Sequence, residues 1–184
     1  GELIAAYRGC GFPLAGLNIA DVRFAVDLGC GAGIDALWIA SQMRPGGTVV
    51  ALDMTLAMLR LLTRAHSRCA ITVTSIWPVA GDMEQLPLAS GIADLVVANA
   101  SFNLAVAKTS AFNEAYRILK PGGCLAMREL IRDGDLPNEI LEDPLTDVTS
   151  LGGTVTEEAL RFAAMESGFA DIRITGHSPF SCVM

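Results

Sequence analysis

Two patterns of apolar and polar residues alternate along the chain. Short apolar runs, as at 24–28 and 94–99, predict strands that are buried on both faces. Longer stretches carry apolar residues three and four positions apart, as at 33–43, where Ile34 and Leu37 share one helical face. The regular alternation of the two patterns is typical of an α/β protein.

Turn residues and the ends of each pattern set the predicted boundaries. The predicted strands are 24–28, 48–52, 71–80, 94–99, 124–130 and 169–175, and the predicted helices are 33–43, 55–67, 109–119 and 156–167. The polar stretch 131–155, interrupted by Gly and Pro, predicts a lid or a substrate insert. We therefore expect a single domain, 1–184, with a doubly wound, mostly parallel, Rossmann-like sheet and helices on both faces.

Length and charge narrow the classes of function. The chain has 184 residues, 52% of them hydrophobic and 18% charged, which predicts one folded core and not a disordered chain. The formal net charge is −7 and the 13 Lys and Arg residues are dispersed, so we expect no nucleic-acid partner. No apolar run approaches the ~18 residues of a membrane span, so we expect no membrane partner. The oligomeric state is left open.

The cysteines indicate a compartment and argue against a metal site. There are five: Cys10, Cys30, Cys69, Cys124 and Cys182. They form no CxxC pair and no zinc-like spacing, so we expect no bound metal. Their number is odd and no secretory leader is expected ahead of them, which predicts a reduced, cytoplasmic environment.

The most distinctive local motif is Asp-Leu-Gly-Cys-Gly-Ala-Gly at 27–33, which follows a predicted strand and opens a predicted helix. Glycine permits a tight turn and lets a ligand approach the backbone. The spacing is GxGxG with Ile34 next, whereas a dinucleotide site has GxGxxG. Asp27 before the loop would repel a pyrophosphate but suits a cationic amine. We therefore expect Gly29, Cys30, Gly31 and Gly33 to bind a cofactor through their backbone.

Two further carboxylates end predicted strands. Asp53 lies 20 residues after Gly33, where an acidic residue accepts both hydroxyls of a ribose. Asp82 follows the third strand and is placed to bind an exocyclic amine. A ligand with an amino-acid head, a ribose and an adenine satisfies these carboxylates together with Asp27, and S-adenosylmethionine is such a ligand. The alternative is a tight turn at the glycines and a helix cap at Asp53.

The neighbours of these carboxylates complete the expected cofactor site. Met54 and Met83 would pack against the adenine, although ordinary core filling is an equal alternative. Asn99, at the end of strand 94–99, would position the amino end of the cofactor or the substrate, or simply form a turn.

Two residues are candidates for catalysis. Asn103 lies just beyond the fourth strand, where the methyl group and its acceptor are expected to meet. Glu129 lies at the end of the fifth strand and faces the same crevice, where a carboxylate takes a proton from an O–H or N–H nucleophile. The alternative for Glu129 is a salt bridge with Arg128 or Arg132.

In these motifs the chain resembles the class I S-adenosylmethionine-dependent methyltransferases. The residues that carry the resemblance are 26–33, 51–54, 81–83 and 119–123. Within that superfamily the chain is most similar to the arsenite methyltransferases, through segments 9–13, 33–37, 50–55, 98–104 and 152–158. The resemblance implies a methyltransferase fold, S-adenosylmethionine as cofactor and a small-molecule acceptor.

The chain departs from the arsenite enzymes at the residues that bind arsenic. Those enzymes hold trivalent arsenic through cysteine thiolates, which are soft ligands. Ala100 and Ser150 stand in two of these places, and Cys10 is the one that matches. We therefore predict methyl transfer to a small-molecule acceptor through an O, N, C or S/As nucleophile. The alternatives are an arsenite methyltransferase using Cys10 with another thiol such as Cys182, a cofactor-binding module without catalysis, and a nicotinamide oxidoreductase.

Overall fold

In the part of the chain that the structure describes, five parallel strands form one central sheet. The computed structural model describes residues 5–69, 71, 73–138, 142 and 151–176. The strands are β1 (Phe24–Leu28), β2 (Thr48–Asp53), β3 (Ser75–Ala80), β4 (Ala93–Asn99) and β5 (Leu119–Arg128). Their spatial order is β3-β2-β1-β4-β5, and each neighbouring pair is parallel. This architecture confirms the predicted doubly wound α/β fold.

Helices cover both faces of the sheet. They are α1 (Ile34–Gln42), α2 (Leu56–His66), α3 (Lys108–Ile118) and α4 (Glu157–Glu166), with a short 3₁₀ turn at Phe102–Leu104. Successive residues of a strand point to opposite faces. Accordingly, Ala25 packs in the cluster beneath α1 and α2, whereas Val26 packs in the cluster beneath α3. The continuous apolar runs of β1 and β4 arise because both of their faces are buried.

Two predicted strand starts need correction, and one predicted strand is wrong. β5 begins at Leu119 and not at Cys124, because Leu119 pairs with Ala93 ahead of a register shift. β3 begins at Ser75, not at residue 71. The predicted strand 169–175 is wrong, since its residues form neither helix nor strand. Its apolar character serves packing instead: the Phe169 ring lies 6.2 Å from that of Phe112.

The stretch 131–155 is only partly described. Among its described residues, Asn138 is helical and its carbonyl oxygen accepts the N–H of Glu142 over 2.9 Å, and one isolated parallel bridge joins Ile131 to Val155. The lid therefore stays a prediction.

One carboxylate joins three strands at the amino end of the sheet. Asp94 Oδ2 accepts the backbone N–H groups of Arg23 and Phe24 over 3.0 and 2.9 Å, and Oδ1 receives Nζ of Lys120 over 2.6 Å. Burial acts to raise the pKa of Asp94, but these bonds hold it below its ordinary value. The opposite, carboxyl end is where open α/β sheets bind ligands.

Candidate functional site

A cavity of about 410 Å³ opens at the carboxyl ends of the strands. It is lined by the segments that follow β1, β2, β3 and β4, and by N-terminal residues 6–9. This is the location that the fold predicts for a ligand. Its volume lies in the range of small-molecule sites.

The cavity brings together eight of the ten residues predicted to bind a cofactor. Those that line it are Gly29, Cys30, Gly31, Asp53, Met54, Asp82, Met83 and Asn99. The other two, Asp27 and Gly33, are not among its lining residues, nor are Glu129 and Asn103, which were predicted to be catalytic. Their contacts indicate other roles, described below.

The glycine loop turns through three left-handed residues. Gly29, Gly31 and Gly33 have φ angles of 70°, 52° and 85°, values that favour glycine. A Cβ on Gly31 would meet nothing within 4 Å, which leaves its backbone open to a ligand. A Cβ on Gly33 would clash with the side chain of Leu62. Gly33 therefore serves the packing of α1 against α2.

Cys30 contributes to the loop mainly through its backbone. The N–H groups of Gly29 and Cys30 both donate to the carbonyl oxygen of Leu52 over 2.9 Å. The side chain of Cys30 is buried, and burial raises the pKa of its thiol. A neutral thiol is a poor nucleophile, so the loop offers shape and not reactivity.

Asp53 connects the glycine loop to the start of α2. Its Oδ2 accepts the N–H of Gly31 and its Oδ1 accepts the N–H of Thr55, each over 2.8 Å. A carboxylate has about four acceptor sites, so both oxygens retain capacity for ligand hydroxyl groups. The hydrogen bond from Gly31 to Asp53 therefore connects the glycine loop to the end of β2, the two segments that would flank a ribose.

The segment after β3 forms a second wall. Asp82 Oδ1 accepts the N–H of Glu84 over 2.8 Å. Met83 packs against the core beneath α3, whereas Met54, on the facing segment, is 73% exposed. Met54 is therefore not a core residue, although it lines the cavity.

Two carboxyl groups lie beside the glycine loop, at different depths. Asp27 is 1% exposed, and its Oδ2 has no hydrogen-bond partner among the described residues. Burial, and then the charge of Asp35, raises the pKa of Asp27 well above its ordinary value. Asp35 lies in the first turn of α1 and lines the cavity. Burial raises the pKa of Asp35 too, against the effect of a hydrogen bond from Asn99.

Asp35 is a lining residue that the sequence reasoning missed. The signal that identifies it is its position, two residues after the glycine loop and at the start of a helix whose first turn faces the crevice.

Asn99 joins the N-terminal segment to the end of β4. Its Oδ1 accepts the N–H of Cys10 over 3.0 Å. Its Nδ2 lies 2.9 Å from Tyr7 Oη, 2.9 Å from the oxygen of Gly11 and 2.8 Å from Asp35 Oδ2. The amide has two hydrogens for these three acceptors. Through Asn99, the segment that carries Tyr7 covers one side of the cavity.

Cys10 lies next to this junction. Its Sγ is 3.3 Å from the carbonyl oxygen of Arg128, and its side chain is half-buried. Burial, and then the charge of Glu129, raises the pKa of the thiol, while Arg128 acts to lower it. Of the other residues in the arsenic argument, Ala100 lines the cavity, whereas Ser150 and Cys182 lie outside the described residues.

Glu129 and Asn103 bind backbone instead of facing the cavity. Glu129 Oε1 accepts the N–H groups of Ser101 and Phe102 over 2.7 and 2.8 Å. Asn103 Nδ2 donates to the carbonyl oxygen of Leu130 over 2.7 Å. The alternative of a salt bridge with Arg128 or Arg132 is not seen, because the described ion pairs involve other residues.

Three wider features concern the part of the chain that the structure describes. Within it, no group of three or more His, Cys, Asp or Glu side chains is arranged to hold a metal ion. Its cysteines, Cys10, Cys30, Cys69 and Cys124, are all free. None of its helices combines the length and the apolar character needed to cross a bilayer.

Known proteins are similar to this chain in sequence and in fold. A family profile described as a methyltransferase domain matches residues 26–127. An arsenite methyltransferase of Aquipseudomonas alcaligenes is 32% identical over 185 residues, covering 98% of this chain and 53% of that protein. Another, of Halobacterium salinarum, is 30% identical over 167 residues, covering 90% of this chain and 42% of that protein.

A solved structure agrees with these sequences. The crystal structure of an arsenic(III) S-adenosylmethionine methyltransferase from Chlamydomonas reinhardtii matches with a TM-score of 0.79 and 28% identity. The match covers 92% of this chain and 58% of that one. The chain spans about half the length of the curated relatives that it matches.

Proposed function

The chain belongs to the methyltransferase-domain family of S-adenosylmethionine-dependent enzymes, and from this premise we propose that it transfers a methyl group from S-adenosylmethionine to a small-molecule acceptor. The observation that carries the proposal is the cavity, in which a glycine loop and carboxylates from three segments converge. A pyrophosphate would meet Asp35 and Asp53 there at close range, which disfavours a nicotinamide dinucleotide.

The residues present fit the chemical groups of S-adenosylmethionine. Asp35 faces the cavity and suits the α-ammonium group, and Arg8, a basic side chain at its edge, suits the α-carboxylate. Asp53 has free acceptor capacity for the ribose hydroxyls. Asp82 suits the adenine amine, and Met83 gives the ring an apolar contact.

When bound, S-adenosylmethionine supplies a methyl group on a sulfonium sulfur, whose S–CH₃ bond breaks as the bond to the acceptor forms. The leaving sulfur becomes a neutral thioether, and an O–H or N–H acceptor also loses a proton. The protein's task is therefore to align the reactants and to exclude water. The glycine loop and Asp53 fix one side of this alignment, and the segment held by Asn99 covers another.

Arsenite is the second candidate acceptor, and Cys10 favours it. The thiol lies 3.8 Å from Oδ1 of Asn99, which lines the cavity, although Cys10 itself is not among the lining residues. Against it, Ala100 occupies the place of one arsenic-binding cysteine. One thiolate binds trivalent arsenic less tightly than two or three. An arsenite reaction therefore requires a second thiol, from Cys182 or from a small-molecule reductant.

The cellular setting belongs to the same proposal. Free cysteines are stable in a reducing compartment, which supports a cytoplasmic protein. The dispersed basic residues and the net charge of −7 support an acceptor that is not a nucleic acid.

Calorimetry followed by a transfer assay tests the proposal. S-adenosylhomocysteine and NAD are each titrated into the protein. In the transfer assay, the protein and labelled S-adenosylmethionine are incubated with arsenite and a thiol reductant, and separately with a panel of small O–H and N–H acceptors. We expect S-adenosylhomocysteine to bind and NAD not to bind. Failure of S-adenosylhomocysteine to bind would overturn the proposal, and binding without transfer to any acceptor would support a non-catalytic module.

A further inference from the structure

The loop after β4, residues 100–104, forms a wall of the cavity. Ala100, Ser101 and Leu104 are among the lining residues. Ala100 has a φ of 56°, a conformation that residues with a Cβ seldom adopt. A loop with such a residue keeps its shape only where its surroundings hold it.

The surroundings that hold this loop come from the end of β5. Three successive N–H groups of the loop donate hydrogen bonds. That of Ala100 donates to the carbonyl oxygen of Arg128 over 2.8 Å. Those of Ser101 and Phe102 both donate to one oxygen, Oε1 of Glu129. Glu129 thus accepts two of the three N–H groups through one oxygen and restrains the loop at two successive residues.

Other contacts join the same loop to the glycine loop. Ser101 Oγ donates to the carbonyl oxygen of Leu28 over 2.7 Å. Gly29 lies so close to Ser101 that an added Cβ would clash with the serine side chain. A displacement of Ser101 would therefore also move Gly29, in the glycine loop.

We propose that Glu129 is a positioning residue: its side-chain oxygen accepts hydrogen bonds from the N–H groups of Ser101 and Phe102 and so fixes the wall against which the cofactor binds. Asn103 assists by donating to Leu130, the residue after Glu129. This inference rests on the proposed function, because the wall belongs to the cavity assigned to the cofactor.

The position of Glu129 separates this role from that of a general base. A base must reach the proton that it removes. Glu129 is not among the lining residues, and its Oε2 is buried without a hydrogen-bond partner in the described part of the chain. The charged and titratable groups around it are Lys108, Cys10 and Arg128, none of which forms an ion pair with it among the described residues.

Two substitutions at this position, with a control elsewhere, test the proposal. Glu129→Gln retains an oxygen that accepts both N–H groups, whereas Glu129→Ala removes it. The matched control is Glu114→Ala, since Glu114 also accepts a backbone N–H, that of Leu86 over 2.6 Å, but does not line the cavity. Binding of S-adenosylhomocysteine is measured by calorimetry, and hydrogen exchange is followed at the amides of Ser101 and Phe102.

We expect Glu129→Gln and Glu114→Ala to keep the dissociation constant within about threefold of the unsubstituted protein, and Glu129→Ala to raise it at least about tenfold. The two amides exchange faster in Glu129→Ala than in Glu129→Gln, whether or not a ligand binds. Should Glu129→Ala fail to fold, Glu129→Asp, whose carboxylate is one methylene shorter, replaces it in both measurements.

The inference fails if Glu129→Ala binds S-adenosylhomocysteine as the unsubstituted protein does, or if its two amides stay as well protected. It also fails if Glu129→Gln binds normally but no longer transfers methyl groups, since that pattern identifies a base. If the unsubstituted protein binds no S-adenosylhomocysteine, the proposed function fails, and amide exchange still decides the role of Glu129.

Discussion

The side-chain amide of Asn99 donates to Oδ2 of Asp35 over 2.8 Å and so connects the end of β4 to the first turn of α1. Asn99 thereby fixes the orientation of the carboxyl group that lines the cavity. Asp27, the acidic residue of the glycine motif, lies behind it and is fully buried. Of the two, Asp35 is the residue that lines the cavity.

Substitution of Asp35 should weaken binding through one identifiable group of the ligand. We expect Asp35→Asn to lower the affinity for S-adenosylhomocysteine about ten- to a hundredfold, because a charge-assisted hydrogen bond contributes about 1.5–3 kcal/mol. The analogue that lacks the α-amino group should bind the variant and the unsubstituted protein equally. Calorimetry with both ligands measures the difference, and an equal loss for the two ligands would contradict the assignment.

Substitution of Asp53 should weaken binding at the ribose. Asp53→Ala removes both oxygens that bind the N–H groups of Gly31 and Thr55 and that would accept the ribose hydroxyls. We expect a loss of at least about tenfold in affinity for S-adenosylhomocysteine. Asp94→Ala is the control, since it removes a carboxylate with similar backbone contacts far from the cavity. Equal losses of affinity in the two variants would show that Asp53 acts only through stability.

Substitutions of two glycines of the motif should differ in their effects on stability and on ligand binding. Gly33→Ala combines a left-handed backbone with a clash against Leu62, so we expect it to cost about 2–4 kcal/mol of unfolding free energy. Gly31→Ala has open space and should cost about 1–2 kcal/mol, but its methyl group lies at the cavity and should impair binding. Urea denaturation and calorimetry on both variants check this, and equal stability of the two would refute the packing role of Gly33.

The buried carboxyl group of Glu129 should make stability depend on pH. Burial, against the bonds from the N–H groups of the loop, raises the pKa of Glu129 from 4.5 to about 7 in the folded protein. Because the folded state holds the proton more tightly than the unfolded state, the contribution of Glu129 to stability is fully present below pH ~4.5 and is lost as the pH rises to about 7. The full change amounts to about 3 kcal/mol.

A comparison with Glu129→Gln isolates this effect from all other titrating groups. Unfolding free energies of both proteins are measured by urea denaturation at pH 5 and pH 8. We expect the unsubstituted protein to lose stability relative to the variant between these two values. A difference that is constant with pH would mean that the carboxyl group titrates normally.

The central sheet and much of the cavity are predictable from the sequence. The apolar runs of β1, β2 and β4 are long and buried on both faces, so pattern alone defines them. The parallel order then brings the ends of these strands together, which places Gly29, Asp53 and Asn99 around one cavity.

What the sequence does not reveal depends on how distant segments meet. The strand predicted at 169–175 has the right composition, but its Phe169 packs against helix α3 and pairs with no strand. Glu129 lies 28 residues after Ser101 and 27 after Phe102, and only the register of β5 beside β4 brings them into contact. The contact between Asp35 and Asn99 could not be predicted either, because the two residues are 64 positions apart in the sequence.

The bonds of Asp94 lie at the amino end of the sheet, away from every residue that lines the cavity. Energetic effects of well-separated sites add independently. Stability gained at that end can therefore compensate for substitutions in the loops after the strands, where most new side chains are destabilising. The two ends of the sheet therefore have separate roles, the amino end in stability and the carboxyl end in forming the cavity.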